Sequence, residues 1–317
     1  MKEAPMSPIP VARPLAPGII LPRRLPRHTV HLAVSRSQFG RCRYLATSTL
    51  GRWSAIVATD HPRVALLDAV QAVRSAIPDG HIARVAVRLA GPAMTRPLLT
   101  DFEACFPQML IERETAADGA ALDRIQADLD ARMRADAACV PPLVVATDGS
   151  VVKKATGSGW LTELGDHGLR TYPARPYWNH GYRVIAAELR AVASAMDAIP
   201  HRRLQFLIDS RPAITALLRW QRSGPSALST FDNAVDDSRT LSRLRTRVGD
   251  ERERLDFTWV PGHGGVPLNE GADSLAKLAR LRMQGVVPVD EYPTRAAAIA
   301  TAFADQHRAG THESVAA

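Results

Sequence analysis

The chain has 317 residues, 46% apolar and 23% charged, with a formal charge of +8 at neutral pH and a pI near 9.9. That length allows two modest domains, and the composition excludes wholesale disorder. The positive balance favours a polyanionic partner. Three widely spaced cysteines, Cys42, Cys105 and Cys139, exclude a disulfide framework and fit reduced thiols in a cytoplasmic protein.

No stretch approaches the length of a membrane span. Pro8, Pro10, Pro14, Pro17 and Pro22 interrupt every apolar run near the N-terminus. Residues 1–28 therefore read as a flexible Pro/Arg tail without the apolar region of a secretory signal. Strand-like runs follow at Val30–Ser35, Cys42–Ser48 and Trp53–Ala58, then a helical pattern over Pro62–Ile77. Strands at Ala83–Leu89 and Met109–Ile111 complete an N-terminal α/β domain over 29–113. A polar helix from about Ala121 to Ala137 carries one apolar stripe, Leu122, Ile125, Leu129 and Met133. Pro141 and Pro142 close it, so 114–141 reads as a helical linker.

The order then repeats. Strands are expected at Leu143–Thr147, Ser158–Thr162 and Leu169–Tyr172, a helix over Tyr182–Ala198, a strand at Leu204–Ile208 and a helix over Ala213–Trp220. A strand at Leu255–Val260 and a helix over Asn269–Met283 end this unit, 142–284, for which a mixed sheet is the natural packing. An extension over 285–317 holds one more helix, Thr294–Gln306. The run Ala65 through Pro78 resembles Ala187 through Pro200, each followed by a strand. The two halves are thus either copies of one fold or chance look-alikes.

Four carboxylates stand out in the second half. Asp148 closes an apolar strand and opens Thr147-Asp148-Gly149-Ser150, a pattern that also marks ordinary turns. Glu188 lies on the helix stripe of Val184, Ile185, Ala191, Val192 and Ala195, which should face the sheet. A carboxylate buried there must be paired, protonated or bound to metal, and Arg183 and Arg190 point elsewhere on the helix. Asp209 follows the apolar strand Leu204–Ile208, and strand ends are where sites in α/β sheets gather. Asp273 stands at the start of the last helix, where capping would also suit it. If the four converge, their repulsion must be offset. A hard divalent cation does this: Mg²⁺ takes a few carboxylates and leaves its other positions to water and phosphate. Two such ions a few ångströms apart serve phosphodiester hydrolysis.

These residues fall in an ordered set of segments: Thr147-Asp148-Gly149-Ser150, Ala187-Glu188-Leu189, Ile208-Asp209-Ser210, and Trp259-Val260-Pro261-Gly262-His263-Gly264-Gly265 through Asn269-Glu270-Gly271-Ala272-Asp273. In order and spacing they resemble the ribonuclease H family of type 1 over most of 142–284. The resemblance implies an α/β fold with a five-stranded mixed sheet flanked by helices. It implies that Asp148, Glu188, Asp209 and Asp273 are catalytic metal ligands for Mg²⁺, which Mn²⁺ can replace. His263 would assist proton transfer or product release from a loop that Gly262, Gly264 and Gly265 keep mobile. The activity implied is an endonuclease that hydrolyses the RNA strand of RNA/DNA hybrids with two metals, leaving a 3′-hydroxyl and a 5′-phosphate.

Trp220 falls where relatives often carry an aromatic against the nucleic-acid backbone, and it suits a core position equally. The chain departs from the family after Asp148, where Val151-Val152-Lys153-Lys154-Ala155 replaces a Gly/Asn-rich stretch. It departs again before Glu188, at Arg183-Val184-Ile185-Ala186, and after Asp209-Ser210, where Arg211-Pro212 stands in place of a frequent Gln. Those family positions touch sugars and phosphates, and RNA is told from DNA through its 2′-hydroxyl and helix shape. Lys153, Lys154 and Arg211 are candidate phosphate contacts, or simply solvated charges. If the N-terminal half shares the fold it lacks the catalytic set, with Leu66 where Glu188 would align and no aspartate around Val87-Arg88. It would then hold nucleic acid, dimerise or act as a scaffold. Two other readings stay open: a nuclease of this fold acting on another nucleic acid, and a nucleic-acid-binding protein of this fold without turnover.

Overall fold

The computed structural model describes residues 25–36, 41–59, 61–89, 95–223, 235–236 and 238–316. Most of the tail read over 1–28 lies outside the described residues, and Arg27 and His28 already belong to the first strand. The first half runs β1 (Arg27–Arg36), β2 (Cys42–Ser48), β3 (Gly51–Val57), α1 (Pro62–Arg74), β4 (Ile82–Leu89), α2 (Arg96–Cys105), β5 (Met109–Arg113) and α3 (Gly119–Ala138). The second runs β6 (Leu143–Val152), β7 (Ala155–Thr162), β8 (His167–Pro173), α4 (His180–Ala198), β9 (Leu204–Ile208), α5 (Arg211–Ser223) and α6 (Arg239–Asp250). A 3₁₀ turn at Arg252–Arg254, β10 (Leu255–Trp259), α7 (Pro267–Met283) and α8 (Tyr292–Ala316) complete it.

The two five-stranded sheets share one topology. Their orders are β3-β2-β1-β4-β5 and β8-β7-β6-β9-β10. In each, the first three strands form an antiparallel meander and the fourth and fifth join parallel to the first. Each sheet also has helices after its third, fourth and fifth strands. Of the two readings left open, copies of one fold or chance look-alikes, strand order and direction agree with the first.

The polar helix read as a linker is packed. Ile125, Leu129 and Met133 of α3 form an apolar cluster with Ala33 and Leu45 on the first sheet, so α3 takes the place that α7 takes on the second. The stripe that predicted the helix is the face it buries. On the second sheet one face is covered by α4, α5 and α6, through Leu189, Val192, Phe206, Leu217 and Leu244. The other face, with Leu161 and Leu207, is covered by Leu268 and Leu275 of α7 and Ala296 and Ala300 of α8. Trp220 is 1% exposed within the first of these clusters. Of its two readings the core one stands: a fully enclosed indole cannot lie against a nucleic-acid backbone.

Local chemistry sets the boundaries. Prolines at N1 start α1 and α7. Asn179 caps α4, its side-chain oxygen accepting from the Tyr182 N–H at 2.9 Å. Two details differ from expectation. β6 does not end at Thr147 but continues to Val152, and the hairpin turn is Lys153-Lys154, with Lys153 at φ +55°. Asp148 is thus a mid-strand residue, not a turn residue. α7 begins at Pro267, so Asp273 lies in its second turn and cannot cap it. Among the described residues no helix is long and apolar enough to cross a membrane.

Candidate metal centre

β6 and β9 lie side by side and parallel, and Thr147 pairs with Ile208 at the end of their register. The next residue on each is an aspartate, so Asp148 and Asp209 emerge together. α4 crosses β6 and brings Glu188 from above. Its close approach depends on Gly149, where a Cβ would lie 2.5 Å from Glu188 N and 2.6 Å from Ala187 Cβ. One ligand atom from each of Asp148, Glu188 and Asp209 lies within 4.8 Å of the other two.

The site is buried and electrostatically unrelieved. Asp148 and Glu188 are 6% and 5% exposed. Glu188 Oε2 is buried with no hydrogen-bond partner, as is the neighbouring Thr147 hydroxyl. Among the described residues no cation neutralises Glu188: Arg183 donates to the carbonyls of Lys153 and Pro176, and Arg190 to the Ser238 hydroxyl. Burial pushes the Glu188 carboxyl well above the usual carboxylate range, and the charges of Asp148 and Asp209 push it further. Burial likewise raises Asp148, assisted by Asp209 and Asp273, while the Gly149 N–H and Lys277 oppose the rise. Such a cluster is costly without a counter-charge.

Asp273 stands beside this trio, close enough to act on the charges of Asp148 and Glu188. Its own close neighbours are His263 and Glu270, the three offering ligand atoms within 4.8 Å of one another. Lys277, one turn on, donates to Asp273 Oδ2 at 2.5 Å. His263 is exposed on the loop before α7, at φ +52°, with Nδ1 3.6 Å from Glu270 Oε2. The four carboxylates therefore come together as three plus one, and the fourth is shared with a histidine and a further glutamate.

Glu270 and Asn269 were not singled out from the sequence as site residues. Asn269 is buried, and its Nδ2 donates to Asp209 Oδ2 at 3.1 Å. Both stand three or four residues before Asp273, the helical spacing that puts side chains on one face, and that spacing was the available signal. Trp259 holds Asp209 from the other side, its indole N–H donating to the Asp209 carbonyl at 3.1 Å. The Arg211 guanidinium lies over the Trp259 ring, 4.3 Å from its centre, so Arg211 is exposed beside the site. Lys153 and Lys154 are exposed at the tip of the β6–β7 hairpin.

Among the described residues the first sheet shows no such carboxylate cluster. Leu66, which the sequence look-alike aligns with Glu188, is fully buried on α1. On β1 and α3, Ser35 and Gln126 meet through a 3.0 Å hydrogen bond from Gln126 Nε2 to Ser35 Oγ. Gln126 Nε2 also donates to Asp130 Oδ1 at 2.8 Å.

A family model described as RNase H matches residues 141–280, a span that contains all four carboxylates and His263. Ribonuclease H of Tropheryma whipplei strain Twist is 30% identical over 145 residues, 43% of this chain and 83% of that protein. Ribonuclease H of Bradyrhizobium sp. strain ORS 278 is 28% identical over 46% of this chain and 95% of its own length. Ribonuclease H of Anaeromyxobacter dehalogenans strain 2CP-C is 35% identical over 37% of this chain and 62% of its own. With near-complete relatives matched at that identity across the second sheet and its helices, the chain belongs to the ribonuclease H family.

Proposed function

We propose that the chain is a divalent-metal-dependent endonuclease that hydrolyses the RNA strand of RNA/DNA hybrids. The observation that carries this reading is the meeting of Asp148, Glu188 and Asp209, with Glu188 Oε2 buried and unpartnered. The donor set fits Mg²⁺, or Mn²⁺ in its place: it offers hard carboxylate oxygens and no thiolate. Asp148, Glu188 and Asp209 would hold the ion, and Asp273 adds a fourth carboxylate from α7. Four carboxylates bring enough negative charge for two divalent ions. When bound, the metal lowers the pKa of water at the site and neutralises charge developing on the phosphate.

The chain's own residues supply the rest. Asn269 and Trp259 fix Asp209 from both sides, which holds its carboxylate in one orientation before substrate arrives. Lys277 holds Asp273. His263, exposed on its loop with Glu270 beside it, would deliver a proton to the leaving oxygen. Lys153, Lys154 and Arg211 offer positive charge to phosphates outside the site. Three widely spaced cysteines, read as thiols, suit work in the reducing cytoplasm.

The test is a substrate panel. Labelled RNA/DNA hybrid, double-stranded RNA and double-stranded DNA are incubated with the protein and Mg²⁺. Cleavage of the RNA strand of the hybrid, and of neither homoduplex, is expected. Preferential cleavage of another nucleic acid would move the activity to that substrate, and no cleavage of any would leave a binding protein of this fold.

A further inference from the structure

A second concave site lies at the far end of the second sheet. It is a cavity of about 880 Å³ lined by the end of α3, the segment before β9 and the segment between α6 and β10. Arg203 immediately precedes β9 and Asp209 immediately follows it, so the cavity is a strand's length, about 17 Å, from the carboxylates. Three of its arginines come from three different segments: Arg134 from α3, Arg203 from the β9 approach and Arg252 from the 3₁₀ turn. All three are exposed, and among the described residues none of their guanidinium groups makes a hydrogen bond or ion pair.

The rest of the lining is already balanced. Arg247 is held by Asp197 and Glu251, and Arg254 by Glu251. Asp250 and Glu253 also line the cavity, so it carries five arginines against three carboxylates. His201, half-buried in the wall, adopts φ +71°, a backbone conformation unusual for a residue with a side chain. Burial lowers its pKa, and Arg134 and Arg254 lower it further against Asp130. Cations converging on a concave surface focus their field into it, and among the described residues nothing pairs with these three.

We propose that this cavity binds a run of phosphate groups, those of a nucleic-acid strand or of a nucleoside triphosphate, at a site separate from the carboxylates. Separate guanidiniums match successive phosphates, each able to bind two oxygens of one phosphate. Among the described residues the His201 imidazole is the one aromatic ring in the lining, so the recognition argued is of phosphate. A cavity of this volume takes a nucleotide.

The test reads binding without turnover, in EDTA, so it is independent of the nuclease reading. Labelled oligothymidylate and ATP are each titrated against the wild-type chain and an Arg134→Ala/Arg203→Ala/Arg252→Ala variant. The expected result is at least a tenfold loss of affinity for one or both ligands. For the oligonucleotide, the salt dependence of log K should flatten by about 2, near 0.7 per lost phosphate contact. Loss for the oligonucleotide alone assigns the site to a strand, and loss for ATP assigns it to a nucleotide. In parallel, phenylglyoxal modification of the wild-type chain is mapped by mass spectrometry. This needs no variant to fold, and the bound ligand should protect Arg134, Arg203 and Arg252. Unchanged affinities and slope in the variant, or no protection of these arginines, would overturn the proposal.

Discussion

Gly149 on β6 and Glu188 on α4 touch through their backbones: a Cβ added to Gly149 would lie 2.5 Å from the Glu188 nitrogen. The first aspartate and the glutamate of the site can share a space only because the residue between strand and helix has no side chain. Gly149→Ala should therefore lever α4 away from β6. Overpacking of this kind costs about 1–3 kcal/mol. Urea denaturation should report that loss, and calorimetry should report weaker Mg²⁺ binding. A variant with wild-type values in both would separate helix docking from the site.

Asp148→Asn should stabilise the metal-free protein at neutral pH. The folded pKa of Asp148 is raised by burial and by Asp209 and Asp273. A raised acid contributes stability that is full below its unfolded value, near 4, and is lost as pH rises toward the folded value. In EDTA the wild-type Tm should thus fall as pH is raised from 4 to 8. The variant should fall less and overtake it near neutrality, while losing the Tm increase that Mg²⁺ gives the wild type. A variant less stable than wild type in EDTA at every pH would mean that Asp148 has a structural partner.

Glu188 was legible from the sequence because a charge in an apolar helix stripe has few structural uses. Asp148 was read as a metal ligand at a strand end, with a turn residue as the alternative; the strand runs on to Val152, and the Lys153-Lys154 turn that ends it lacks the usual Asn or Gly that would have marked its end. Asn269 and Glu270 were hidden because the helix start was set two residues late, which left Asp273 looking like a cap. The common topology of the two sheets surfaced only as a faint echo between α1 and α4. Local periodicity reveals strands and helices but not which strands are neighbours. For α3, the apolar stripe was seen, but its polar remainder and the prolines after it argued for a linker. Trp220 suited a core or a surface platform, and only packing decides between them.

The first sheet has its own buried ion pair. Asp118, 3% exposed, receives both terminal nitrogens of Arg84 at 2.8 Å and the Thr115 N–H and hydroxyl. These bonds hold its carboxyl well below the usual range. A depressed acid contributes stability that is present above its unfolded pKa and lost as pH falls through the folded value. Asp118→Asn should cost about 2 kcal/mol at pH 7. The gap to wild type should stay constant down to about pH 4 and narrow below it. Thermal melts across that range would check this, and a gap that widens in acid would contradict it.

Lys153→Ala/Lys154→Ala should weaken hybrid binding several-fold at low salt and lower the slope of log K against log salt by about 2, one unit for each phosphate contact. Filter binding at several salt concentrations in EDTA would measure it. An unchanged slope would return both lysines to the solvated surface.

The most direct measurement is the Mg²⁺ dependence of hybrid cleavage by the wild-type chain and by Glu188→Gln. Wild type should cut the RNA strand only with Mg²⁺ or Mn²⁺, leaving 5′-phosphates. The variant should be slower by at least about a hundredfold, nearly 3 kcal/mol of lost transition-state stabilisation, with metal affinity lowered in calorimetry. Cleavage by wild type in EDTA, or by Glu188→Gln at the wild-type rate, would contradict a metal centre built on Asp148, Glu188 and Asp209.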